Sequence, residues 1–338
     1  MPRNLSIDAA RLFFAYGVVA IHLGPNLPTG EWLGQIFGLF CVPFFIILAL
    51  YYFINKVRQR VAKPEPFLSH LQLDRLWVPY LCWTAIYWGL RLVKHRVQHL
   101  DLSHDPFAVI FYGGAAVHLY FLPLLLLCQS WVLTLFLIKA KRQLPLAAVL
   151  LTVACVFAYI GTDRDYVYFS HAFTNSWSYV GAALFLTWMQ SSPYRRGNTW
   201  ICGVIILAAI ISVSCPDLPL TWVQISPLTG YAACSLVLSL PTFSLTSRWV
   251  KYLLGCSYGI YLIHHAWSEF IEFAMSRFSY DLAPYGLGEK ILVALIVSGF
   301  SVLSIVIIRL NPHLRYWLLG ENNSGQIQKE TDALNTPP

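Results

Sequence analysis

The sequence predicts an all-α fold: a polytopic integral membrane helix bundle of about ten transmembrane helices, with both termini in the cytoplasm. Three observations predict it. Of 338 residues, 57% are hydrophobic and 12% are charged, about half the charged share of a soluble domain. The apolar residues gather into ten stretches near the length that crosses a bilayer, about 20 residues each. The basic residues between these stretches fall mainly on one side.

The stretches run in order 7–25, 33–54, 73–92, 115–138, 144–161, 173–190, 199–215, 227–243, 249–270 and 288–310. The first, IDAARLFFAYGVVAIHLGP, follows Arg3 as the core of a signal peptide would. Asp8 and Arg11 interrupt it, and no small-x-small cleavage site closes it, so it is read as the first membrane helix. The second carries VPFF, Val42 to Phe45. The third opens LDRLWVPY after the basic loop KVRQRVAK, a positive-inside anchor. The fourth opens AVHLYFLP. The eighth is bracketed by Pro227 and Pro241, and the ninth reads LLGCSYGIYLIHHAWSEF. Connecting loops are short and no internal repeat is visible. Residues 1–318 form one membrane domain, and the polar segment 319–338 forms a disordered cytoplasmic tail.

All but six of the 23 lysines and arginines fall on the side that holds both termini; the six are Arg91, Lys94, Arg96, Arg164, Arg277 and Lys290. A net charge of +7 spread in this way is a topology signal, and nucleic acid is not expected as a partner. Eight cysteines occur without a CxxC or CxxxxC pair. They suit packing, and neither a zinc site nor a disulfide framework.

Composition leaves transporter, channel and membrane enzyme open. The ionisable residues inside the apolar stretches discriminate, because their burial in lipid is costly and marks function. Arg11 and His22 are eleven residues apart. At about 100° and 1.5 Å per residue they share a helix face about 16 Å apart. Asp8, about 60° from Arg11, joins that stripe. Arg75 begins the third stretch beside its apolar run. His118 and Tyr120 open the fourth; an aromatic belt explains Tyr120 and leaves His118 without that explanation. Ser257, Tyr258, Tyr261, His264, His265 and Glu269 lie in the ninth. His265 and Glu269 at i, i+4 suggest a metal pair, but no third ligand follows by spacing, so no metal is expected.

Taken in order, these pieces resemble acyltransferase family 3, the membrane O-acyltransferases of bacterial surface polysaccharides. The resemblance covers about residues 4–310. It rests on Arg11 and His22 at their spacing, VPFF, DRLWVPY, HLYFLP and SYGIYLIH. Two departures occur. Ala49 and Leu50 stand where the family commonly has Ser-Gly, and Gln72 stands where it often has a second arginine, leaving Arg75 alone.

The resemblance implies an acyl-CoA co-substrate, most often acetyl-CoA, with no permanently bound cofactor. It implies an acceptor hydroxyl on a carbohydrate of the cell envelope or an exopolysaccharide, free or lipid-linked, and a multi-pass inner-membrane location. An alcohol needs a base to attack a thioester at neutral pH; His22 suits that role. Arginine suits coenzyme A phosphates, so Arg11 and Arg75 are the expected donor contacts. Asp8, His118, Tyr258, His264 and Glu269 are candidates for acceptor binding or for orienting His22. The competing expectation is a transporter of polysaccharide precursors or small metabolites; the paired broken helices of such transporters are not visible in the sequence. A third is a non-catalytic relative within an envelope assembly, against which Arg11 and His22 speak.

Overall fold

The computed structural model describes residues 4–60, 73–98, 105–139, 155, 170–215, 222–243, 247–277 and 284–321. The stretch 144–161 lies outside them apart from Cys155, as do loop residues 61–72 and the tail from 322 onward. Among the described residues the chain is 87% helical and has no strand. The all-α expectation therefore holds.

The helices are α1 (Leu5–Ile21), α2 (Pro28–Arg60), α3 (Leu73–Gln98), α4 (Pro106–Phe111) and α5 (Phe121–Lys139), the last entered through a 3-10 turn at Val117–Tyr120. They continue with α6 (Ser170–Thr174), α7 (Ser176–Gln190), α8 (Arg195–Ser214), α9 (Trp222–Ser239), α10 (Arg248–Leu254), α11 (Ser257–Arg277), α12 (Leu287–Leu310) and α13 (Pro312–Leu319). Segments 28–59, 117–139, 195–214 and 287–310 are long and apolar enough to cross a membrane by length and composition.

Several boundaries differ from expectation for local reasons. Asn4 caps α1 by accepting from the backbone N–H of Ser6 and Ile7, the usual work of an N-terminal Asn. The helix ends at Ile21 rather than running to 25. His22 is its C-cap, with its N–H on the Val19 carbonyl at 3.1 Å. Pro25 follows Gly24, and a residue before proline is turned away from helical geometry. The ninth stretch is not one helix: Gly255 caps α10, and α11 restarts at Ser257. Pro227 lies inside α9 rather than before it.

The longest helix, α2, organises the bundle by packing against α1, α5, α7 and α9; α12 covers α11 and α1. Within α2, Pro43 has no N–H, so the Leu39 carbonyl four residues back loses its helical donor. Thr229 of α9 supplies a replacement, its hydroxyl donating to Leu39 O at 2.6 Å. Next to it, a Cβ on Gly230 would stand 2.7 Å from the Pro43 carbonyl carbon. The Thr229 hydrogen bond beside Pro43 and the missing side chain at Gly230 bring α2 and α9 together. On the other face, a Cβ on Gly17 would lie 2.6 Å from Phe37, so α1 also packs closely on α2.

Candidate active site

Four histidines converge at one end of α1. His22 ends that helix, His118 sits in the turn entering α5, and His264 and His265 lie midway along α11. Ring centroids are 5.3 Å apart for His22 and His264, 6.1 Å for His22 and His118, and 6.0 Å for His22 and His265. His118 stands 4.8 Å from His264 and 5.3 Å from His265. His118 and His264 are buried, while His22 and His265 are half-buried. A small molecule arriving at the cluster would therefore meet His22 and His265.

The His264 imidazole is held from behind by its own helix. His264 Nδ1 lies 2.8 Å from the Tyr261 carbonyl and 3.1 Å from that of Ile260. Carbonyls only accept, so Nδ1 carries the proton and Nε2 offers a lone pair. Nothing among the described residues bonds that buried Nε2, nor His265 Nδ1, nor either ring nitrogen of His118. The His118 ring lies near the Leu262 carbonyl but outside hydrogen-bond geometry. Buried polar atoms are nearly always paired, and four unmet ring nitrogens around one half-buried histidine mark a place for a polar ligand.

The turn that presents His118 is pinned from two helices. Tyr80 of α3 donates to the Ile110 carbonyl at 2.8 Å and accepts from the Gly113 N–H at 2.9 Å. Arg91, also on α3, donates to the Gly114 carbonyl at 2.9 Å. Tyr261 of α11 donates to the His118 carbonyl. Gly113 has φ 75°, a left-handed conformation that suits glycine. Tyr87 lies against His118 and His265, and its hydroxyl donates to the Leu262 carbonyl at 2.7 Å.

Glu269 reaches the cluster through His265, 3.7 Å from its Nε2, and is itself paired with Lys94 at 2.5 Å. The His265 and Glu269 spacing on the helix thus ends in a Glu269–Lys94 ion pair with His265 beside it. No group of three or more His, Cys, Asp or Glu among the described residues is placed to hold a metal ion.

Two expected orienting residues are not at this cluster. Asp8 is 14 residues from His22, about 21 Å along the axis, and lies 3.7 Å from the Arg11 guanidinium. Tyr258 sits six residues before His264 on α11, and its hydroxyl bonds the Arg75 carbonyl at 3.4 Å. The reason is Pro79: lacking an N–H, it leaves the Arg75 carbonyl without its helical donor, and Tyr258 takes that position. Gly320, at φ 64°, closes on the same carbonyl.

Arg11 and Arg75 lie at the opposite end of the bundle from the histidines. Ser6, near Arg11, donates to the Pro241 carbonyl at 2.6 Å just before α10, and α10 packs on α1. Arg75 meets Tyr258 where α11 begins. Both arginines therefore sit near the α10–α11 junction, with Arg75 exposed and Arg11 half-buried.

Of the residues expected at the site, His118 and His264 join His22, and Glu269 stands one layer behind. His265, Tyr87 and Tyr261 were missed as site residues. The signal for His265 was its adjacency to His264, which on a helix turns the two side chains 100° apart yet here leaves both against His22.

The motifs quoted from the sequence thus meet in space at two levels, one cationic and one of imidazoles. A family model described as an acyltransferase domain matches residues 4–310, while no curated protein and no solved structure matches the chain. The chain belongs to acyltransferase family 3 and is a membrane acyltransferase.

Proposed function

We propose that the protein moves an acyl group, acetyl by preference, from acyl-CoA to a hydroxyl of a cell-envelope or exopolysaccharide sugar, free or lipid-linked. The observation that carries this reading is the half-buried His22, ringed by three histidines with unmet nitrogens, about 16 Å along α1 from Arg11. Arg11 and Arg75 face the cytoplasm in a multi-pass inner-membrane protein of about ten spans, with both termini inside, a membrane domain over 1–318 and a tail over 319–338. Coenzyme A phosphates bind the arginines, and the pantetheine arm runs along the bundle to the histidines.

In the reaction, His22 takes the proton of the acceptor hydroxyl as its oxygen bonds to the thioester carbonyl carbon. The carbon–sulfur bond then breaks, the coenzyme A thiolate leaves, and His22 returns the proton to it. Atoms and charge balance without a further reactant, and no permanently bound cofactor is called for. The family match favours this reading over transport.

Mass spectrometry of envelope polysaccharide from cells with and without the protein tests it. The expected result is an O-acyl mass increment that disappears with the gene. Identical acylation in both would remove the carbohydrate assignment.

A further inference from the structure

Lys290 lies in the first turn of α12, a helix apolar enough to cross a membrane, and is 1% exposed. A buried ammonium in such a helix is costly and marks function. Among the described residues no carboxylate forms an ion pair with it; Glu31 is within Coulombic reach, but is itself exposed and bonded to Gln35 at 3.2 Å.

The space it fills is made for it. A Cβ on Gly34 of α2 would stand 2.9 Å from Lys290 Nζ. One turn earlier on the same face, Gly30 receives the backbone of Tyr285. Leu27 N–H and Tyr285 N–H exchange bonds across the two loops, to the Tyr285 and Pro25 carbonyls, each at 2.9 Å. The glycines of α2 thus hold the start of α12 against the end of α1.

Helix register sets the depth of the ammonium. Gly17 of α1 packs on Phe37 and Cys41 of α2, and the two helices run in opposite directions. Five residues further along α1, His22 is level with about residue 34 of α2, since both helices rise about 1.5 Å per residue. Lys290 Nζ therefore lies at the depth of His22, within Coulombic reach of its ring. It approaches from α12 across Gly34 of α2, whereas the other three histidines come from the turn entering α5 and from α11.

We propose that Lys290 is a catalytic residue whose ammonium stabilises the oxyanion formed beside His22 during acyl transfer. This rests on the acyl-transfer reading above. When the acceptor oxygen bonds to the carbonyl carbon, the carbonyl π electrons move onto its oxygen. A cation fixed in a site closed to water lowers the energy of that charge far more than one in solvent. Lys290 keeps its proton throughout; when the carbon–sulfur bond breaks, the electron pair returns to the carbonyl. Histidines then handle the proton while the lysine handles the charge.

The test uses full-length wild type, Lys290→Met, Lys290→Arg, Gly34→Ala and Glu31→Gln in membrane vesicles. Labelled acetyl-CoA transfer to total polysaccharide gives kcat and KM, and equilibrium binding of coenzyme A is read separately. Lys290→Met is expected to lower kcat about 100-fold or more, with coenzyme A binding within about twofold of wild type. Lys290→Arg should recover part of the loss, and Gly34→Ala, which crowds the ammonium, should lower kcat with Lys290 still present. If Lys290→Met does not insert, Gly34→Ala decides by the same kcat criterion. Turnover per folded molecule within about threefold of wild type in Lys290→Met, or in Gly34→Ala where the former does not insert, overturns the proposal, as does matched loss in Lys290→Met and Glu31→Gln, which would make the lysine a structural charge partner of Glu31. Wild type without any transfer would overturn the acyl-transfer reading and this assignment together.

Discussion

His22 and His264 face one another with ring centroids 5.3 Å apart, although one closes the first helix and the other lies in a helix near the end of the chain. His264 is fixed with its proton on Nδ1 by two backbone carbonyls and turns a bare Nε2 into the cluster. In the proposed reaction an imidazole held in this way can accept a hydrogen bond from the ring N–H of His22 or from the acceptor hydroxyl. Either contact positions the reacting groups.

His264→Ala should therefore lower kcat by about tenfold to 100-fold while leaving the donor KM within about twofold. Steady-state transfer assays across a range of acetyl-CoA concentrations separate the two constants. A raised KM with unchanged kcat would move His264 from the reacting centre to donor binding.

Donor affinity should respond at the other end of the bundle. Arg11→Ala and Arg75→Ala are each expected to raise the apparent KM for acetyl-CoA about fivefold to 100-fold, as loss of a charge-assisted phosphate contact does. Asp8→Asn should have a smaller effect, because Asp8 orients Arg11 from 3.7 Å. An unchanged KM in both arginine variants would remove them from the donor site.

The proline inside α2 gives a prediction about stability alone. Thr229→Val deletes the donor that serves the carbonyl freed by Pro43. Leaving a buried carbonyl unpaired costs about 1–3 kcal/mol, so the thermal midpoint in detergent should fall. Pro43→Ala restores an N–H within α2. In that background Thr229→Val should cost less, and a double-mutant cycle measures the coupling. Additive losses would show that the two residues act separately.

Much of this was legible in the sequence. Helical type followed from apolar length, and the spacing of Arg11 and His22 gave both their common helix and their separation along it. The convergence of His118, His264 and His265 on His22 was not legible as geometry, because helical periodicity fixes faces within a segment and says nothing about which segments adjoin. Tyr258 shows the same limit: it shares a motif with His264, yet a proline on another helix draws its hydroxyl to Arg75. In the sequence Lys290 reads as a basic residue on the outer side. Only the glycine at 34 shows why its ammonium is inside.

The central claim is that His22 is the base for acyl transfer. The direct measurement is transfer of labelled acetyl groups to total polysaccharide by membranes containing His22→Ala, with coenzyme A binding and membrane insertion measured on the same preparation. Insertion and binding are expected close to wild type, with transfer reduced about 100-fold to 10,000-fold. Transfer at the wild-type rate by a normally inserted His22→Ala protein would contradict it.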